Sequence, residues 1–479
     1  MPSPGPPRGT TRPLTFAPMF LANLLPLVGV VWLDWSAETL VIIYVVEVLV
    51  VFPLAGLKAL FAQQPPKEDR ESGVISVTES DLVDKHGSVT IHERLPPVYP
   101  RNLPFASNVI AFTVWVAIFV GVAISGLGPL ADAVHIPTVL VAVGGLLIGH
   151  VVELWREYFG QRRYEDVSPY AVVETPARQA FLLMFLLIVL PQTQPTAGTF
   201  VLGAFVFVKL LVDWSGFRAE RGGGGRLTGW LSGPEPDAEA SAAAPEPPSV
   251  PDADPSEVVA TSRRSAALAA ASAALTKRAP FHVPYLFVLW VLVSAFGLGG
   301  DASPLAALAV TGIIIGLFGV IVAGDVLEEI LRHDAMEYRR CGDHLVAYDT
   351  RLETPQWAAP VDTLRGVDLV CDRFADRYYG TRTVTVTTGW GDSETERLVG
   401  PVDDPETLVA AFELPISDTD LTPFDRRVGA AVVAGAVLVV VAAAAMAFLP
   451  SVPPGGLFYL FFLFPVVALT LRGVWRLGY

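Results

Sequence analysis

The chain reads as a polytopic α-helical membrane protein, with about ten transmembrane helices in five hairpins and a small cytoplasmic β-rich domain. Three observations predict this. Its 479 residues are 52% hydrophobic, with a mean hydropathy of +0.49. The apolar stretches come in pairs, and the short connections inside the pairs (33–36, 128–136, 192–199, 299–303 and 450–456) hold no Lys or Arg. Nearly all of the 33 Lys and Arg lie in the longer segments between pairs, and cytoplasmic loops are the ones enriched in these residues. Both termini are therefore expected in the cytoplasm of a multi-pass cell-membrane protein.

The expected spans are 16–32, 37–61, 105–127, 137–155, 178–191, 200–214, 282–298, 304–323, 428–449 and 457–471. A crossing needs roughly 17 to 25 apolar residues, so the fifth, sixth and tenth are short. Either these helices extend past the stated edges with polar ends, or 178–214 is a re-entrant pair. Arg178 and Lys209, at the expected cytoplasmic mouth, favour crossing. Asn23 and Pro26 interrupt the first stretch, which does not read as a cleaved signal peptide. The organisation that follows is a six-helix membrane domain over 1–215 with a cytoplasmic loop at 63–104, then a linker over 216–280. A hairpin over 281–331, a cytoplasmic β-rich domain over 332–426 and a last hairpin over 427–479 complete it.

Charge separates functional classes. There are 48 Asp and Glu for a net charge of −15, and the only lysines are Lys58, Lys67, Lys85, Lys209 and Lys277. Such an acidic, Lys-poor chain suits a salt-adapted cell, where self-repulsion is screened; one acidic domain in an ordinary cell is the alternative. Nucleic acid is excluded as a partner, because phosphates call for a basic footprint. Cys341 and Cys371 form no C-x-x-C pair and read as apolar fillers.

Alternation of apolar and polar residues at 74–77 and 88–92 suggests a hairpin in the first cytoplasmic loop. The 216–280 linker, rich in Gly, Pro, Ala and Glu, is expected to be disordered, save for an Ala-rich helix at 263–278 that could lie on a lipid surface. Within 336–414, strands are expected at 344–349, 361–370, 381–388 and 397–400, with a turn at 389–393. A closing helix at 404–412 follows an Asp-Pro start. These pieces make a small barrel or bent sheet with a helical plug.

Two resemblances rest on these residues. The runs 359–367, 379–386 and 398–406, with the closing helix, resemble a bacterial-type pleckstrin-homology domain. That resemblance implies an interaction or assembly module with no catalytic residues. The N-terminal half is similar to domain-of-unknown-function family 6498, a multi-pass family common in haloarchaea, on the run 22–30, on Tyr44 and Glu47, on 101–105, and on Lys209 and Asp213. Members often carry an aromatic residue after that tyrosine, where this chain has Val45. The family carries no assigned activity.

The candidate site residues are the polar groups inside apolar stretches: Asn23, Glu47, His150, Glu153, Lys209 and Asp213. A charged acid at the centre of a span costs about 2.5–3.5 kcal/mol, so Glu47 must be protonated, paired or facing water. As a neutral acid bonded to Asn23 it is helix glue, and Glu47→Gln then changes stability by only about 1 kcal/mol. As a proton or cation site it serves transport. His150 and Glu153 share a helix face, as do Asp325 with Glu328 and Glu329 with His333, in related Gly-x-Val-x-Glu contexts. Two ligands on one helix do not make a metal site, so these read as charges at helix ends. Lys209 and Asp213 read as a local pair with the lysine snorkelling outward. With no catalytic motif and no expected cofactor, the chain is read as a non-enzymatic membrane scaffold or signalling and assembly protein. Its partners are the lipid bilayer and, at the β-rich domain, a cytoplasmic protein or a second copy of the chain. The alternative is an ion- or proton-linked transporter or channel built on Glu47.

Overall fold

The computed structural model describes residues 32, 37–65, 82–125, 136–189, 195–219, 247–278, 282–283, 286–287, 289–290, 304–391, 394–448, 466–467 and 469–478. The chain divides into two compact units, Met1–Val83 with Thr90–Pro245, and Asp84–Val89 with Glu246–Tyr479.

The first unit is helical: α1 (Ala37–Phe61), α2 (Leu103–Ser125), α3 (Ile136–Glu153), α4 (Pro169–Val189) and α5 (Pro195–Ala219). These sequences are apolar almost all round, the pattern of helices solvated by other helices or by lipid. Helix α1 is central and packs on α2, α3 and α4. Edge-to-face rings join α2 to α4, Phe105 on Tyr170 at 4.8 Å, and α1 to α5, Tyr44 on Phe205 at 5.3 Å. Helix α3 turns the other way: Val141 is 78% exposed and Ile148 68%, as suits a lipid-facing surface. Ser168 opens α4 by accepting from the Ala171 amide at 3.3 Å, with Pro169 at the first helical position.

The short fifth and sixth stretches are resolved in favour of longer helices. Helix α4 starts at Pro169, nine residues before the expected edge at Arg178, and runs 21 residues; α5 runs 25. Arg178 lies inside α4, paired with the buried Glu174 at 2.8 Å. Among the described residues four helical stretches are long and apolar enough to cross a membrane: Thr39–Phe61, Pro137–Phe159, Pro169–Val189 and Leu308–His333. That is fewer than the expected ten. Most of the expected first, seventh and tenth spans lie outside the described residues. Within 82–100, where a hairpin was expected, the described residues form no strand beyond single bridge positions at Val89 and Val98, and 74–77 lies outside the described residues.

The second unit holds a four-stranded antiparallel sheet, β1 (Glu257–Ala260), β2 (Met336–Cys341), β3 (His344–Asp349) and β4 (Thr354–Pro360), and a three-stranded one, β5 (Arg365–Leu369), β6 (Arg382–Thr388) and β7 (Thr395–Val402). A bridge from Thr261 to Val402 joins the sheets. Their inner faces bury Tyr338, Leu345, Val384, Val386, Val399 and Phe412. The helices are α6 (Arg263–Ala273), α7 (Pro304–His333), α8 (Phe374–Tyr379), α9 (Pro405–Ala411) and α10 (Arg426–Phe448). Asp404 caps α9 by accepting from the Thr407 amide at 3.1 Å. On β7, Gly400 has φ +122°, and a Cβ there would stand 2.7 Å from the Arg382 carbonyl oxygen, so only glycine fits.

Three expectations need correction here. The 216–280 segment is not disordered throughout: β1 pairs with β2, and α6 buries Ser265, Ala266, Ala269 and Ala270. Alternation in Glu-Val-Val-Ala is too short to announce a strand, and its partner lies about eighty residues away. Burial of its alanine face also replaces the reading of α6 as a lipid-surface helix. Strand β5 is shorter than expected, because 361–363 forms a 3-10 turn. Of the two free thiols, Cys341 is buried but Cys371 only partly so.

Candidate functional site

Two polar residues inside the helical unit, Glu47 and Lys209, meet across the bundle. Glu47, on the buried side of α1, meets Lys209 of α5 at 3.0 Å, with side chains 8% and 4% exposed. Tyr44, one turn before Glu47, lays its ring under the lysine, 5.2 Å from Nζ to the centroid. Spacing of three residues puts Tyr44 and Glu47 on one helix face, so the same face supplies a carboxylate and an aromatic surface to one ammonium. This corrects two expectations: Glu47 is paired across the bundle with Lys209, and Lys209 is buried rather than snorkelling. Asn23, the expected partner of Glu47, lies outside the described residues. Asp213 belongs to α5, and its side chain also lies outside them.

His150 and Glu153 do share a face, at 3.4 Å. Glu153 also receives Lys58 of α1 at 2.6 Å, and Tyr158, in the π-helical continuation of α3, donates its hydroxyl to the Lys58 carbonyl at 2.7 Å. The pair is thus part of a clasp between α1 and α3. Among the described residues, no three His, Cys, Asp or Glu side chains group closely enough to hold a metal ion.

Several residues that composition did not single out hold the ends of elements. Asn102 donates its amide to the carbonyls of Ala59 (2.9 Å) and Ala62 (2.7 Å), capping α1. Buried Arg101 donates to the Gln63 carbonyl, and burial holds its pKa below the usual arginine range. An Arg-Asn pair just before a proline-started helix was the available signal.

In the second unit, Lys85 is buried and meets Asp349 at 2.6 Å. It also donates to the carbonyls of Leu331 and, at 3.3 Å, Arg332, closing the C-terminal end of α7. The other Asp349 oxygen accepts from the amides of Arg351 (2.9 Å) and Leu352 (3.0 Å). Desolvation lowers the Lys85 pKa, and Asp349 opposes that shift. His86 continues the tie through two 3.0 Å bonds between its backbone and the Gln356 side chain. Arg278 bridges Asp325 (3.1 Å) and Glu328 (2.8 Å), and His282 reaches Asp325 at 3.1 Å. Asp325 and Glu328 at the polar end of α7 are therefore partners of the segment before it, while Glu329 pairs with Arg332 and His333.

These features define a class: a protein with helices long and apolar enough to cross a membrane, a buried acid paired between two helices, and a β-rich unit continuous with one long apolar helix. The model of a family of unknown function (DUF6498) matches residues 6–226, a region that includes α1 to α5. Of the residues that carried the family resemblance, Tyr44, Glu47 and Lys209 build the ion pair and Arg101 and Asn102 the cap of α1, while 22–30 and the Asp213 side chain lie outside the described residues. No curated protein and no solved structure matches the chain.

Proposed function

We propose that the chain is a non-enzymatic integral membrane scaffold or assembly protein. In this reading ten helices in five hairpins cross the cell membrane, both termini are cytoplasmic, and the β-rich unit is a cytoplasmic interaction module of the pleckstrin-homology kind. Two sheets of four and three strands closed by α9 support the last point. Net charge −15 supports a salt-adapted host.

The observation that carries the reading is the Glu47–Lys209 pair. A transport site must exchange its ion with water, whereas this carboxylate is neutralised by a fixed lysine on a neighbouring helix, both side chains being almost fully buried. Such a pair fixes the register of α1 against α5. Purified protein in proteoliposomes is expected to show no proton or cation flux under imposed gradients. A flux that disappears in a folded Glu47→Gln variant would overturn the scaffold reading in favour of transport.

Topology has its own test. On a background lacking Cys341 and Cys371, single cysteines at Ser36, Asp132, Ala197 and Asp301 are expected to react with an impermeant thiol reagent in intact cells. Protection of Ala197 alone would remove the 178–214 crossing.

A further inference from the structure

The short helix α8 presents three aromatic side chains outward: Phe374 is 48% exposed, Tyr378 67% and Tyr379 44%. Phe374 and Tyr378 stack at 6.0 Å, and Tyr378 and Tyr379 meet edge-on at 5.0 Å, so the rings form one continuous surface. Its opposite face is anchored. Asp376 is fully buried and accepts from the Thr381 hydroxyl at 2.7 Å and the Ser265 hydroxyl at 3.3 Å. The helix is therefore held with its rings pointing away from the β-rich core.

The surroundings of α8 say what those rings meet. Its inner face packs on α6. Arg377 donates to the Thr422 carbonyl at 2.6 Å, four residues before α10 begins at Arg426. Asp372, two residues before α8, pairs with Arg476 at 3.6 Å, in the helical stretch that ends the chain. Phe424 and Trp475 contact at 4.7 Å, and the Asp425 amide donates to the Gly478 carbonyl at 2.9 Å, so the two apolar helices end side by side there. Exposed Arg426, Arg427 and Arg476 surround this point in a chain with 48 acids against 33 bases. Asp425 is spent on the Arg427 amide at 2.8 Å, and Asp372 on Arg476.

We propose that α8 is a membrane-surface anchor: Phe374, Tyr378 and Tyr379 insert into the lipid headgroup layer at the ends of α10 and the last helix, with Arg426 and Arg427 on the lipid phosphates. Aromatic rings with a polar edge partition to that layer, and arginine matches phosphate. The β-rich unit would then be held flat against the bilayer rather than swinging on its connections. This rests on the reading of 427–479 as a transmembrane hairpin.

The test uses the full chain lacking Cys341 and Cys371, in phosphatidylglycerol vesicles at molar salt. Nitroxide labels are placed at Tyr378→Cys, at Tyr379→Cys as a second variant, at exposed Asp362→Cys and at Val437→Cys on α10. Accessibility to oxygen, which partitions into lipid, is compared with accessibility to a polar nickel chelate. The expected order of oxygen-to-nickel ratio is Val437 highest, Tyr378 and Tyr379 intermediate, and Asp362 several-fold lower. Labels at Tyr378 and Tyr379 as aqueous as at Asp362 would overturn the anchor. So would shielding from both reagents, which would mean that protein covers the rings. An aqueous Val437 would instead remove the hairpin reading, and the anchor with it.

Discussion

Each unit buries a lysine against a carboxylate, and the two pairs are completed by different means. In the helical unit Lys209 meets Glu47 at 3.0 Å between two apolar helices, with the Tyr44 ring as a further face. Their neighbours are helix interiors, where backbone groups are already bonded. In the β-rich unit Lys85 meets Asp349 at 2.6 Å at a helix end and a turn, where backbone groups are free. Two carbonyls of α7 complete the lysine and two amides complete the acid. The pair in the helix bundle is thus described by side chains on two helices, while the pair at element ends recruits the backbone. The first sets helix register, and the second ties residues 85, 331 and 349, remote in sequence, into one corner.

The largest effect is expected at Glu47. Removing one member of a buried pair leaves an uncompensated charge, so Glu47→Gln should lower stability by about 3–5 kcal/mol rather than the ~1 kcal/mol expected of a neutral packing acid. The double variant Glu47→Gln, Lys209→Met should recover most of this. Denaturant unfolding in nanodiscs reads both, and a single variant as stable as the parent would show that the pair is not charged.

Lys85→Met tests the other side of the comparison. Asp349 keeps its two amide donors, so the loss should be smaller, about 2–3 kcal/mol. It should be local, raising hydrogen exchange in β3 and in the last turn of α7. Faster exchange throughout the chain would break the distinction between the two pairs.

A pH arm sharpens it further. Burial raises the Tyr338 pKa to about 12, with its hydroxyl accepting from the Gly400 amide at 3.0 Å. The folded state then holds its proton longer than the unfolded state. Stability from this group is complete below pH 10 and is lost as pH rises through 12, by roughly 2–3 kcal/mol at about 1.4 kcal/mol per pKa unit. Exchange from β2 and β7 should accelerate across that window, and Tyr338→Phe should flatten the slope. The smallest effect is Asn102→Ala, which removes the side-chain donor shared by the Ala59 and Ala62 carbonyls while Ala59 keeps the Ala62 amide at 3.2 Å, and should cost about 1–2 kcal/mol.

Much of this architecture was legible because it depends on local pattern. The bounds of α1, the strands near 344–349 and 382–388, and the Asp-Pro start of α9 follow from apolar runs, alternation and a capping residue, all of which act within a few residues. Partnership is not local. Nothing in the spacing of Glu47 names Lys209, 162 residues away. Nothing in a polar loop singles out Lys85, whose burial exists only because the end of α7 and the turn after β3 offer it acceptors. Strand β1 is too short to show a period and is a strand only because β2 pairs with it. Sequence by itself determined where the chain is apolar enough for a membrane and where it alternates to form sheet. Tertiary structure decided which charges meet, because pairing in a low-dielectric interior depends on distance in space, and distance along the chain carries no information about it.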